Sequence, residues 1–161
     1  MRYLSGEEEK KALEYLKKTA EIAVRAACRR SRCGSIIVKD SQIIGSGFNS
    51  PPGNKEEQRR CSYSKDSLHK KITDKTCCIH AEQRAIMDAL RRYPDRIFGS
   101  RLYFIRLDEN EKPSRAGQPY CTICSKMALD VGIAEFILWT EKGIAVYDTE
   151  EYNLISFQFN Q

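Results

Sequence analysis

No apolar run in the sequence approaches the roughly 18 residues that a membrane-crossing helix needs, so no membrane protein is expected. The opening residues, Met1 to Gly6 followed by Glu7, Glu8 and Glu9, lack the apolar core of an export signal. A soluble cytoplasmic protein is therefore the expectation. No internal repeat or low-complexity stretch stands out. A large charge excess is missing too: the net charge of +5 is modest and spread along the chain, so it permits anionic partners without requiring them.

What the sequence does have is cysteine. Seven of them in a chain with no export signal point to metal or thiol chemistry, because reducing compartments keep structural disulfides rare. The 161 residues suit a single domain, 1–161. From Glu7 to about Arg30, the residues Leu13, Leu16, Ala20, Ala23, Val24 and Ala27 recur at helical spacing and predict an amphipathic helix. The β-branched runs 35–38 and 42–45, separated by Lys39-Asp40-Ser41, predict an antiparallel hairpin. Residues 48–53, with two prolines and a glycine, break the pattern. A polar, basic stretch at about 54–78 is too poor in large apolar residues to be core and is expected to be an insertion. Helix is predicted over 80–92, strand over 101–107, a long loop over 108–120, helix over 122–131 and strand over 134–139. A strand at 143–147 and a helix capped by Asp148 follow, and the aromatic 155–159 is expected to pack on the core or on a second subunit. The helix between strands 101–107 and 134–139 implies a parallel pair, so the expected fold is α/β with a mixed sheet.

Two motifs sit at predicted helix starts: His80-Ala81-Glu82, and Cys121-Thr122-Ile123-Cys124 after Pro119-Tyr120. Two thiolates three residues apart and one imidazole can bind zinc and leave its fourth tetrahedral position for water. Bound zinc lowers the pKa of such a water to roughly 7, and helix amino termini favour the thiolate form of the cysteines. Glu82, two positions past His80, leaves the helix start in another direction and is placed to move protons without ligating the metal. A lone Cys-x-x-Cys is often a structural half-site or redox pair, and a lone His-x-Glu is usually nothing. Their joint occurrence in this order is what carries the reading, and it matches the signature of zinc deaminases.

With those residues in view, the chain resembles the cytidine and deoxycytidylate deaminase superfamily, closest to the deoxycytidylate branch. The likeness extends to Cys33–Asp40, to Gly47-Phe48-Asn49-Ser50-Pro51-Pro52-Gly53 and to Cys124–Ile133. It implies a three-layer α/β/α sandwich, and hydrolytic deamination of a cytosine nucleotide, dCMP to dUMP, with release of ammonia. It also implies an oligomer and a substrate-binding role for Asn49 and for the backbone of Ala81. Departures from the family pattern are Arg84 where asparagine is usual, Tyr120 directly before the first zinc cysteine, and a longer 108–118 segment. Arg84 offers a planar fork for phosphate, or a surface salt bridge; Tyr120 offers a wall for the base, or packing. Some members carry a second, structural zinc, and the corresponding positions here are Cys28, Cys61, His69 and Cys78, with Cys77 as the alternative to Cys78. Such a metal would stabilise the insertion, while Cys33 is expected in the core. Two rival functions stand beside the first. One is a deaminase of RNA or single-stranded DNA, with Arg29, Arg30, Arg32, Lys55, Arg59, Arg60, Lys65, Lys70 and Lys71 as a basic groove, or of another free base or nucleoside. The other is an inactive zinc-binding module, against which the intact Glu82 argues.

Overall fold

The computed structural model describes residues 1–159; the expected domain reaches two residues further. Its chain order is β1 (Arg2–Tyr3), α1 (Gly6–Ala23), β2 (Arg32–Lys39), β3 (Gln42–Phe48), α2 (Ala81–Arg92), β4 (Arg101–Leu107), β5 (Pro113–Ser114), α3 (Thr122–Asp130), β6 (Glu135–Thr140), β7 (Gly143–Asp148) and α4 (Thr149–Phe157). The strands form one mixed sheet in the order β1-β7-β6-β4-β2-β3, with β5 hanging on β4. Only β4 and β6 run parallel within that order, and α3 lies on the connection between them. The hairpin of β2 and β3 turns on Asp40 and Ser41, both at positive φ (48° and 62°), the geometry of a two-residue primed turn.

The period of two along β2 divides the sheet between two cores. Ile36 and Val38 face α1 together with Tyr103, Ile105 and Leu107, where they meet Ala12, Tyr15, Leu16 and Ala23. Ile37, Ile44, Leu102, Phe136 and Leu138 face the other way, onto Ala85, Ile86 and Ala89 of α2, Ala128 of α3 and Tyr152 of α4. One helix on one face and three on the other give the expected three-layer sandwich. Tyr152 stacks on Phe136 at 3.9 Å between ring centroids, so α4 contributes to the core, whereas Phe157 stays exposed. No helix among the described residues is long and apolar enough to cross a membrane.

The first helix is shorter than its periodicity suggested. It stops at Ala23 because the chain turns there, with the amide of Ala26 on the Ala23 carbonyl at 3.0 Å and that of Ala27 on the Asn49 carbonyl at 3.1 Å. Leu13, Val24 and Ala27, counted in the apolar stripe, are exposed. Cys28 thereby lies in the turn leading to β2. Residues 54–78 form only short 3₁₀ turns, at Glu56–Gln58 and Lys65–Ser67 among others. The loop 108–120 contains the short β5, which the sequence did not announce.

What positions the functional end of the sheet is the contact between α2 and β3. A side chain at Gly47 would place its Cβ 2.3 Å from the Ala81 carbonyl oxygen and 2.5 Å from the Ala85 nitrogen; at Gly45 it would lie 2.4 Å from the Ala85 oxygen. Glycine at both places lets the helix lie directly on the strand.

Candidate active site

α2 and α3 both begin at the same end of the sheet, beyond the carboxyl end of β4, where ligands of open α/β sheets commonly bind. His80 caps α2, Cys121 caps α3, and Cys124 lies inside the first turn of α3. The Nδ1 atom of His80 stands 3.2 Å from Cys121 Sγ and 3.3 Å from Cys124 Sγ. Tetrahedral zinc with ordinary Zn–N and Zn–S bonds would set such atoms about 3.6 Å apart, so these three donors fit the metal with an adjustment of a few tenths of an ångström. The protein groups by themselves already polarise the site. A hydrogen bond from the Cys124 thiol, followed by the imidazole, pulls the Cys121 thiol down to about 4. Cys121 in turn raises His80 to about 9, while the same thiol pair and burial hold Cys124 well above the ordinary range.

Glu82 is buried, only 6% exposed, with no arginine or lysine paired to it among the described residues. Burial, and next the negative charge at Cys121, raise its carboxyl to about 7. A carboxyl poised near neutrality can both accept and give a proton, which is what general acid–base catalysis at neutral pH requires.

A cavity of about 250 Å³ opens over these groups, and His80, Glu82, Cys121, Asn49, Cys33, Phe104, Arg106 and Tyr120 line it. Asn49 is buried and ties two backbones: its Oδ1 accepts from the Cys33 amide at 2.9 Å and its Nδ2 donates to the Ser31 carbonyl at 2.7 Å. One N–H and one lone pair of its amide remain for a ligand. The positive-φ asparagine of this loop is Asn54, so Asn49 is not there for turn geometry. Ala81 is fully buried, and its amide belongs to the orphan donors of the first helical turn. Tyr120 is half exposed at the cavity wall, its hydroxyl accepting from Arg106 Nη2 at 2.8 Å.

Arg84 does not line this cavity. It donates to the carbonyls of Pro51 (2.9 Å) and Ser50 (3.4 Å), its guanidinium lies 6.0 Å from the Phe48 ring centroid, and it braces the 48–51 loop. Several wall residues escaped the sequence reading, Phe104 and Lys75 among them. Cys33, expected in the core, is buried but borders the cavity, and burial pushes its thiol up. Arg106 interrupts the apolar β4 on the face that carries Leu102 and Phe104; its buried Nε has no hydrogen-bond partner. A charge inside an otherwise apolar strand was the available signal.

A second group of thiols lies in the same cavity. Cys61, Cys77 and Cys78 bring their sulfurs within 4.8 Å of one another, and Cys28 is close enough to Cys78 to raise its thiol, with burial the larger cause. The amide of Arg60 donates to Cys77 Sγ at 3.0 Å. A bend at Cys77–Cys78 turns both neighbours inward, which an extended stretch would forbid. His69, expected as a ligand, is exposed and outside this group; its Nδ1 accepts from the Lys71 amide at 3.2 Å.

Comparison with known proteins agrees with this geometry. Residues 7–140 match the family described as cytidine and deoxycytidylate deaminase zinc-binding region, and the chain belongs to that family. The deoxycytidylate deaminase of Mycobacterium phage D29 is 29% identical over 123 residues, which is 71% of this chain and 83% of the phage protein. Among solved structures, the dCMP deaminase of cyanophage S-TIM5 in complex with dCMP and dUMP superposes with a TM-score of 0.56 at 23% identity, over 83% of this chain and 82% of its own. Cytidine deaminase from Burkholderia pseudomallei superposes with a TM-score of 0.55 at 17% identity, over 86% of this chain and 94% of its own. These last two likenesses establish the fold.

Proposed function

We propose that the chain catalyses hydrolytic removal of the exocyclic amine of a cytosine nucleotide, dCMP first, giving dUMP and ammonia. The observation that carries the proposal is a buried Glu82, paired with no arginine or lysine among the described residues, in one cavity with His80 and Cys121, whose donor atoms group with Cys124. When bound by those three donors, zinc supplies the Lewis acidity that makes water a nucleophile at neutral pH. The residues do the rest. Glu82 takes a proton from the attacking water and passes it to the ring nitrogen, then takes the second proton from the hydroxyl now on the ring carbon and gives it to the amine as the C–N bond breaks. Asn49 and the Ala81 amide orient the pyrimidine and its sugar, and Tyr120 and Phe104 wall the base. The relatives' activity on dCMP favours the same substrate. The cavity, about 250 Å³, is at the small end of ligand pockets and suits one nucleotide better than several.

A second zinc belongs to the proposal, held by Cys61, Cys77 and Cys78 with Cys28 as the fourth donor in place of His69. Four cysteines are a common closed environment for structural zinc, and the Arg60 amide directed at Cys77 is the kind of donor that steadies a ligating thiolate. A cytoplasmic setting is supported by seven cysteines, none of them in a disulfide. Assembly into at least a dimer is supported by Leu129 on α3 and Leu154 and Phe157 on α4, which are exposed.

Ammonia release from dCMP, cytidine, guanine and a short cytosine-containing oligonucleotide, assayed in parallel, tests the function. Turnover of dCMP well above the others is expected. Reaction on the oligonucleotide with none on mononucleotides would establish the polymer-acting rival, and zinc-loaded protein inert toward all four would leave a binding module.

A further inference from the structure

The cavity is electrostatically lopsided. Five cations line it, Arg30, Arg60, Lys65, Lys75 and Arg106, against a single carboxylate, Glu82. Arg29 and Arg59, neighbours in sequence of two of these cations, both bind Glu56. None of Arg30, Arg60, Lys65 and Lys75 joins an ion pair among the described residues. Arg60 Nη1 donates to the Glu57 and Arg59 carbonyls at 2.8 and 2.9 Å, and Lys75 Nζ to the Lys65 carbonyl at 3.1 Å. Those acceptors are neutral, so none of these cations is neutralised by a carboxylate and most of the donors of each group stay free.

We propose that Arg30, Arg60, Lys65 and Lys75 form a binding site for the phosphate monoester of the nucleotide at the outer wall of the cavity, and that the insertion exists to present it. The proposal rests on the cytosine-nucleotide reading above and names what selects the nucleotide over the nucleoside. The thiol group fixes the geometry: Arg60 precedes Cys61 and gives its amide to Cys77 Sγ at 3.0 Å, and Lys75 lies two residues before Cys77. A stretch too poor in apolar residues to order itself by burial is thus tied to sulfur at Arg60, with Lys75 two residues from the same thiol. Arginine supplies a planar fork and lysine a mobile point charge, the usual combination for phosphate recognition. Guiding a dianion to the wall also keeps it away from the buried carboxyl of Glu82, which needs the base instead.

The test is calorimetric binding of dUMP, deoxyuridine and a deoxyuridine trinucleotide without a terminal phosphate, none of which can be deaminated. The zinc-loaded wild type is compared with Arg60→Ala/Lys75→Ala and with Lys70→Ala/Lys71→Ala, which removes the same charge from exposed insertion positions outside the cavity lining. Wild type should prefer dUMP to deoxyuridine. The Arg60/Lys75 variant should lose about tenfold in dUMP affinity for each cation, with deoxyuridine unchanged, and the Lys70/Lys71 variant should keep the preference. A dUMP preference surviving in Arg60→Ala/Lys75→Ala, or lost equally in both variants, overturns the site while leaving the deaminase reading intact. Trinucleotide binding tighter than dUMP in wild type overturns it in favour of a polymer substrate. Wild type indifferent to the phosphate overturns the site, and absence of ammonia from dCMP in the same preparation shows that the deaminase reading has failed as well.

Discussion

Replacing Gly47 by alanine tests whether the seat of α2 on β3 sets the active-site geometry. The added Cβ would stand 2.3 Å from the Ala81 oxygen, about 1 Å short of the 3.4 Å at which ordinary contact begins. Both atoms it meets first, Ala81 O and Ala85 N, are backbone, so relief requires moving the helix itself by about that distance. The carbonyl pushed is the one joined to Glu82, between the two residues the chemistry needs. Overpacking of this kind costs about 1–3 kcal/mol of stability, a fall of roughly 3–10 °C in Tm for a chain of this length. A displacement of about 1 Å at a catalytic group costs on the order of a hundredfold in rate. Gly45→Ala provides the comparison. Its clash is as severe, 2.4 Å from Ala85 O, but one helical turn further from Glu82. The expected pattern from thermal unfolding and dCMP turnover is a similar Tm loss in both variants and a much larger fall in kcat for Gly47→Ala. Undiminished kcat in Gly47→Ala, with Tm lowered as expected, would show that the strand contact does not position the site.

Loss of either cysteine of the triad, by Cys121→Ala or Cys124→Ala, should remove one zinc equivalent together with all measurable turnover, because two protein ligands rarely hold zinc tightly; elemental analysis of the purified variants decides it. Metal-replete wild type should contain two zinc equivalents per chain. Cys61→Ala should contain one, with a lowered Tm because the insertion loses its metal-derived folding free energy; a single equivalent in wild type rules the second site out.

The convergence of His80, Cys121 and Cys124 was legible because metal ligation constrains residue type, spacing and position at a helix start, all visible in one dimension. The hairpin, the parallel β4–β6 pair and the Asp148 cap were legible for the same local reason. What escaped depends on contacts between distant segments. The end of α1 is set by the Asn49 carbonyl capturing the Ala27 amide, not by propensity at Val24 to Arg30. Arg84 is turned from the cavity by carbonyls 33 and 34 residues away. Cys77 enters the thiol group through a bend that no spacing rule reveals, and His69 stays out, exposed and engaged by the Lys71 amide. Arg106, inside the predicted strand 101–107 with no role assigned to it, is a cavity wall.

The central claim is that Glu82 moves protons at a site where His80, Cys121 and Cys124 hold the metal. The most direct test compares dUMP formation from dCMP by zinc-loaded wild type and Glu82→Gln, with zinc content and Tm measured on the same samples. The account predicts equal metal, nearly equal Tm, and turnover reduced by about 10²–10⁴-fold or more in the variant, because a proton carrier has been removed and no ligand lost. Turnover within a few-fold of wild type in a zinc-loaded Glu82→Gln protein would contradict it.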